Sequence, residues 1–404
     1  MTSLGRLALL LAVTALAACS SGSKRSNPTP STLLVAGALP TYGAERVPTE
    51  AMKAAIEARI RARGGRAGAH RVAYVDYVTS SVGSGGQENE QECRSAAGRI
   101  AKDDRVVAVV GALSTICART LIPGLDQAEI AVVSPAATTT GLTHEVPDWR
   151  RVGPCFLCTP GRLYPTGRRN FARVIASEDS EGRAAAVLLH RLGVKRALVL
   201  SDGQQFNTVE LAGGFLAEAP SQGLTVVRAV YTPTGGPYGA VARRVAASGA
   251  EALYLLAPTY NHGTEVLEAI RRAGFRGPVL SSLYIVQGTI ATPSSPWQSV
   301  LFTSPRLPLA AMPPAAKQFA ASIGAGSSAV DAAYAGEAAG VVLDAIRRSD
   351  GSRAGVRRAL YATSGPSLLG PISIDANGDV HPQRIAVFRL RGSRFKYLST
   401  IRFG

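Results

Sequence analysis

Cysteine and histidine are the residues best able to do metal or redox chemistry, and their spacing here argues against both. Cys93, Cys117, Cys155 and Cys158 lie in the body of the chain, and a fifth, Cys19, stands near its start. Cys155-Phe-Leu-Cys158 has the CxxC spacing of a redox or zinc motif. No redox-type βαβ pattern surrounds it, and neither a second CxxC nor a paired histidine completes a zinc site. His70, His144, His190, His262 and His381 are dispersed, with no ligand spacing. Asp375-Ala-Asn-Gly-Asp379 has a superficial likeness to a calcium loop, but its glycine comes two positions early and no glutamate follows at the required distance. It reads as a turn between 371–374 and a strand over 384–390. The chain has no GxxxxGK(S/T), no HExxH, no GxSxG and no GxGxxG after a strand, so neither an enzyme nor a bound cofactor or metal is expected.

The elements that must carry these residues alternate. Runs over 32–38, 70–77, 105–110 and 130–133 have β character. Helical patterns occupy 50–63, 88–102 and 115–128 between and after them. A second series follows residue 173, with helices over 181–192, 209–222, 238–248 and 264–273. Strands over 196–200, 225–231, 252–256 and 278–281 interleave with them. Short apolar strands separated by helices are the pattern of a parallel sheet buried on both faces. Two doubly wound α/β units in tandem are therefore expected, with binding at the carboxyl edges of the strands.

Composition narrows the function classes. The chain has 404 residues, is 46% hydrophobic and carries a formal net charge of +16. That apolar fraction excludes a disordered chain. The excess comes from 38 arginines and 6 lysines that are scattered rather than clustered, so no nucleic-acid face is expected. The start reads as an export address: Arg6 precedes a 12-residue apolar stretch, 7–18, too short to cross a bilayer. Leu16-Ala17-Ala18-Cys19 resembles the lipobox of bacterial lipoproteins. The resemblance implies removal of 1–18 and diacylation of Cys19, two chains being enough for stable anchoring. Residues 19–31, polar with Gly and Pro, read as a flexible tether. In an exporting compartment the four body cysteines are expected in structural bridges.

Several stretches, in order, resemble one family. They are Asp104-Arg-Val-Val-Ala-Val-Val-Gly-Ala-Leu-Ser-Thr115, Ala131-Val-Val-Ser-Pro-Ala-Ala-Thr138 with Leu142-Thr143, and Phe171-Ala-Arg-Val-Ile-Ala-Ser-Glu-Asp-Ser-Glu-Gly182. Gly193-Val-Lys-Arg-Ala-Leu-Val-Leu-Ser-Asp202 and Gly370-Pro-Ile-Ser-Ile-Asp-Ala-Asn-Gly-Asp379 follow. The resemblance is to type I periplasmic solute-binding proteins, in the branch holding the leucine/isoleucine/valine-binding proteins of ABC importers. It implies two doubly wound parallel-sheet lobes joined by three hinge crossovers, near 171–173, 302–305 and 364–370. Lobe one would then be 32–172 plus 304–363, and lobe two 173–303 plus 364–404. The implied partners are a small-molecule ligand and ABC permease subunits, with the membrane reached through the lipid anchor and the chain acting as a monomer in the cell envelope. A 2-1-3 strand order with right-handed crossovers puts the second and third helices on one face. Cys93 and Cys117 could then approach the roughly 5.5 Å Cα separation of a disulfide, leaving Cys155 with Cys158. The other two pairings stay open.

The family implies that lobe one holds a ligand carboxylate on main-chain and hydroxyl donors in two turns, here Leu113, Ser114 and Thr115, then Ala137 and Thr138. Ser114 or Thr115 could equally cap the helix that follows. Tyr42, Phe206, Tyr260 and Tyr284 are candidate aromatic walls. Where relatives follow the tyrosine at the position of Phe206 with glycine, this chain has Asn207. Amino-acid binders also place an acid near the strand 278–281 for the ligand's ammonium, and Ser282-Leu283-Tyr284 offers none. Burying an unpaired ammonium is costly. Asp202 or Glu210 would have to substitute, or the solute would be a small carboxylate, an amide or an aromatic acid without the amine. A ligand sensor or envelope regulator on the same fold is the alternative to transport.

Overall fold

The computed structural model describes residues 32–202, 206–230, 236–286, 290 and 292–403. Cys19 and the tether lie outside the described residues, as does the side chain of Phe206. The first unit is built from β1 (Leu33–Leu39), α1 (Arg46–Arg61), β2 (Arg66–Ala67), β3 (His70–Val78), α2 (Glu90–Lys102), β4 (Val106–Gly111), α3 (Thr115–Gln127), β5 (Ala131–Ser134) and β6 (Phe171–Arg173). Its six-stranded sheet has the order β2-β3-β1-β4-β5-β6. All pairs are parallel except the short edge pair β2–β3. β1 and β4 are buried along their whole length, which is why they read as continuous apolar runs rather than as alternation.

A short α4 (Trp149–Val152) precedes β6. The second unit runs through α5 (Glu178–Arg191), β7 (Arg196–Ser201), α6 (Phe206–Glu218), β8 (Thr225–Val230), α7 (Gly239–Ala247), β9 (Ala252–Leu256), α8 (Gly263–Arg272), β10 (Val279–Ser282) and β11 (Leu301–Ser304). The chain then returns to the first sheet as α9 (Pro314–Ser322), α10 (Ala329–Arg347) and α11 (Arg353–Leu360), where α10 and α11 pack on β4 and β5. A small sheet of β12 (Ser364–Gly365), β13 (Ile372–Ile374) and β14 (Val380–His381) follows. β15 (Gln383–Arg391) and β16 (Arg394–Phe403) finish the second sheet, whose order is β16-β15-β11-β10-β9-β7-β8. β11, β10, β9, β7 and β8 are parallel, and β15 and β16 add an antiparallel edge. The result is two α/β lobes with the chain passing between the sheets three times. The antiparallel edge and the α9–α11 return are elements that the strand–helix alternation did not reveal.

Helix starts follow local chemistry. The Asn89 side chain accepts from the Glu92 N–H (3.0 Å), and the Ser114 hydroxyl accepts from the Cys117 N–H (3.2 Å). α10 is Ala-rich and buried on nearly every side, as a helix packed between a sheet and the helices α1, α9 and α11 must be. Burying Val342 or Ile346 there stabilises by about 1.5–3 kcal/mol each. α5 and α6 approach closely through glycine: a Cβ on Gly182 would lie 2.1 Å from the Leu211 carbonyl, and one on Gly214 2.0 Å from that of Asp179. Trp149, Val152 and Cys155 pack into the core beneath α5 and α6. A segment that precedes the first passage between lobes thus leans on the second lobe.

Both expected disulfide pairings are present. Cys93 and Cys117 join the starts of α2 and α3 with a Cα separation of 5.4 Å, and Cys155 and Cys158 close a small loop at 5.1 Å. Asp375–Asp379 is the expected turn. One Asp375 oxygen accepts the N–H groups of Asn377, Gly378 and Asp379, each at 2.9 Å. Gly378 (φ +102°) lets that turn lie against β6, since a Cβ there would sit 2.1 Å from the Phe171 carbonyl.

Candidate functional site

The carboxyl edges of the two sheets face one another across a cleft of about 680 Å³. Lobe one contributes Pro40, Met52, Glu88, Leu113, Ser114, Ile116, Ala136 and Thr138. Ile175, Leu283, Tyr284, Ser304 and Arg306 come from the passages between lobes and the second sheet's edge, and Asp331 comes from α10. The volume fits a small solute.

Glu88 organises the lobe-one wall. The Ser114 N–H donates to one of its carboxylate oxygens at 2.7 Å. The Thr79 hydroxyl (2.9 Å) and, more weakly, the Leu113 N–H (3.5 Å) donate to the other. These main-chain donors stand at the start of α3, where unpaired N–H groups and the helix dipole favour an anion. The carboxylate is held from behind. Glu88 bridges to Ser80, Asn89 caps α2, and the Cys93–Cys117 disulfide pins the start of α2 to α3. Burial pushes the Glu88 carboxyl up from its ordinary value, against the pull of the Ser114, Thr79 and Leu113 donors.

Behind the second turn lies a buried charged network. The Thr138 hydroxyl donates to Glu178 (2.8 Å), and the Thr140 N–H donates to Glu210 (2.6 Å). Burial raises both acids, and the neighbouring Glu178 charge adds to the rise at Glu210. Arg173, fully buried, donates to Asp379 (2.6 Å), to the Thr139 carbonyl (2.7 Å) and to the Thr143 hydroxyl (2.5 Å). His144 bridges Asp379 (2.8 Å) and Asp179 (3.3 Å). Burial alone would lower His144, but the hydrogen bonds and charges of those two acids prevail and carry it to about 9. Asp379, despite its burial, is held well below the carboxylate range by the Arg173 charge and the His144 hydrogen bond. Nearer the second sheet, burial pushes Glu181 up to about 7, against donors from Thr303 and Ser282.

The sequence-predicted residues fall into distinct places. Leu113, Ser114, Thr138 and Tyr284 line the cleft. The first two do not offer free N–H groups, because Glu88 already occupies them, and the Thr138 hydroxyl is given to Glu178. Ser114 also caps α3. Thr115 is buried and bonded to the Thr139 hydroxyl, and Ala137 is buried with its N–H on Ser134, so Ala136 reaches the lining instead. Tyr42 and Tyr260 are half exposed and lie off the lining. Glu210 and Asp202, the candidate substitutes for the missing acid, are buried away from it, and Asp202 accepts the Thr208 hydroxyl at 2.9 Å. Sequence reasoning missed Glu88, Arg306 and Asp331. For Glu88 there was one usable signal, an acid opening a predicted helix five residues ahead of a cysteine expected in a disulfide.

The model of a periplasmic binding protein family matches residues 48–394. The chain belongs to that family. Among solved structures, this periplasmic binding protein is similar to a leucine-binding protein, LivK, of Thermotoga maritima. The identity is 22%, the TM-score 0.63, and the match covers 91% of this chain and 98% of the other. An ABC transporter substrate-binding protein of Desulfitobacterium hafniense in complex with Leu matches at 18% identity and TM-score 0.67, over 91% and 100%. A solute-binding protein of an R. palustris ABC transporter, in complex with benzoate, matches at 16% and 0.61, over 91% and 96%. Among curated proteins none matches significantly. The fold is thus the type I periplasmic binding protein fold, and the family is extracytoplasmic. No helix among the described residues is long and apolar enough to cross a membrane.

Proposed function

We propose that this chain is the lipid-anchored, extracytoplasmic solute-binding component of an ABC importer. It captures one small solute between its lobes and presents the closed complex to permease subunits. The observation that carries the reading is the cleft itself, about 680 Å³, walled by the carboxyl edges of both sheets, with apolar side chains and a few polar groups from each lobe. Solved relatives bind leucine or benzoate, small solutes of a size that suits such a space. Lobe one would be 32–172 plus 304–363 and lobe two 173–303 plus 364–404, moving about the three passages. No bond is made or broken; closure supplies the affinity, and the protein works as a monomer.

A thermal-shift screen of the protein against small solutes, followed by small-angle scattering, tests this. A ligand at 100 times its dissociation constant stabilises by about 2.7 kcal/mol. At least one solute should raise the melting temperature and shrink the radius of gyration. A ligand that stabilises without compaction would argue against capture by closure. In the exporting host, Cys19→Ala should release the protein from the membrane fraction, and retention there would argue against the anchor.

The second reading, a ligand sensor or envelope regulator on the same fold, is favoured by one observation, the Glu88 carboxylate seated on the lobe-one donors. Stimulation of a cognate permease's ATPase by the loaded protein decides for transport, and its absence decides for sensing.

A further inference from the structure

The chemistry of the cleft can be read one step further, on the footing that it binds a solute at all. Its anion-binding feature on lobe one is the start of α3, where Leu113 and Ser114 line the cleft. Glu88 fills that position with a carboxylate belonging to the chain itself, taking Ser114 at 2.7 Å, Leu113 at 3.5 Å and the Thr79 hydroxyl at 2.9 Å. It is no loose side chain, because the Ser80 bridge, the Asn89 cap and the Cys93–Cys117 disulfide all fix its backbone. A solute carboxylate would have to displace this group or sit beside a like charge. The rest of the lining has the same sign. Among the described residues, Glu45, Glu88 and Asp331 face one guanidinium, Arg306, and that guanidinium is paired with Asp331. The Glu88 carboxylate, though engaged by these groups, belongs to a residue of the cleft lining, so an ammonium beside it gains from its charge. Met52, Ile116, Ile175, Leu283 and Tyr284 supply an apolar wall, and a tyrosine ring tolerates a nearby cation.

We infer that the cleft selects a solute with an apolar body and a cationic amine head, for which Glu88 is the counter-charge, and that Glu88 excludes carboxylates by occupying their donors. The missing acid after β10 is then no defect, because the counter-charge stands on the opposite lobe.

Matched pairs test this by calorimetry: benzylamine against benzoate, and isoamylamine against isovalerate. Each pair is titrated into the wild-type protein, Glu88→Ala and Glu88→Gln. The wild type should bind each amine at least roughly tenfold more tightly than its acid, a charge-assisted hydrogen bond being worth that much. Glu88→Ala exposes the N–H groups and should bind the acids at least roughly tenfold more tightly than the wild type does. Glu88→Gln keeps an oxygen on those donors and loses the charge, so it should lose the amine preference without gaining the acids. An acid that outranks its amine in the wild type, or no gain of acid by Glu88→Ala, overturns the inference and leaves the solute-binding reading standing. Silence of all three proteins to both series overturns the inference, while the solute-binding reading falls only if the wider thermal-shift screen also finds no stabilising solute.

Discussion

Replacing Arg173 with methionine should be among the most damaging single changes in the protein. The guanidinium is fully buried and holds Asp379 at 2.6 Å, the Thr139 carbonyl at 2.7 Å and the Thr143 hydroxyl at 2.5 Å. Methionine fills much of the volume but leaves the Asp379 carboxylate with His144 as its remaining charged partner. Removing one member of a buried ion pair costs about 3–5 kcal/mol, because the other charge stays desolvated. For the roughly 360 described residues, an unfolding entropy near 0.8 kcal/mol/K converts 4 kcal/mol to a fall of about 5 °C in Tm. Differential scanning calorimetry of the wild type, Arg173→Met, Asp379→Asn and the double variant closes a cycle. The pair should couple by at least about 2 kcal/mol, with Asp379→Asn doing far less harm once Arg173 is gone. A loss below about 1 kcal/mol in Arg173→Met, or strictly additive losses, would refute the reasoning. Because Arg173 also ties down 137–143, the turn that carries Thr138, hydrogen exchange in that segment should rise in the variant.

Other outcomes follow from the same chemistry. His144 is raised to about 9 from an ordinary value near 6.5. Its contribution is therefore complete below pH 6.5 and lost as pH rises through 9, and His144→Asn should flatten the loss of urea stability between pH 6 and 9.5. Glu181 also makes stability fall as pH rises, but as a cost rather than a contribution. With its carboxyl raised to about 7 by burial, it is a liability that grows between pH 4.5 and 7 and is complete above. Glu181→Gln should therefore stabilise at pH 8 by up to about 3 kcal/mol and leave pH 4.5 nearly unchanged. Opening the Cys93–Cys117 bridge with Cys117→Ser should cost about 3 kcal/mol of chain entropy for its 24-residue separation, read as a lower denaturant midpoint under oxidising conditions.

Much of the scaffold was legible in the sequence, because it depends on local patterns. Apolar runs such as 106–110, flanked by helices with polar caps at Asn89 and Ser114, can form only buried parallel strands and their crossovers. The Cys93–Cys117 pairing was favoured, with two others left open, once the strand order implied by the resemblance put α2 and α3 on one face. Return elements were harder to read. α10 is apolar all round, so it has no amphipathic stripe, and β15 and β16 announce neither partner nor direction.

The chemistry of the cleft was decided elsewhere. Thr138 reads in sequence as a ligand donor, and folding spends its hydroxyl on Glu178, 40 residues away. Leu113 and Ser114 read as a free anion site, and folding seats Glu88 on it across 25 and 26 positions. Asp379 and Arg173 meet across 206 positions, and Arg306 meets Asp331 at the cleft rim. The sequence by itself determined which segments become strands and helices, since propensity, caps and periodicity act within a turn or two. Only the tertiary structure decided which donors remain free for a solute. A hydrogen bond is spent or spare according to what packs beside it, and the partners here come from segments that no local pattern connects.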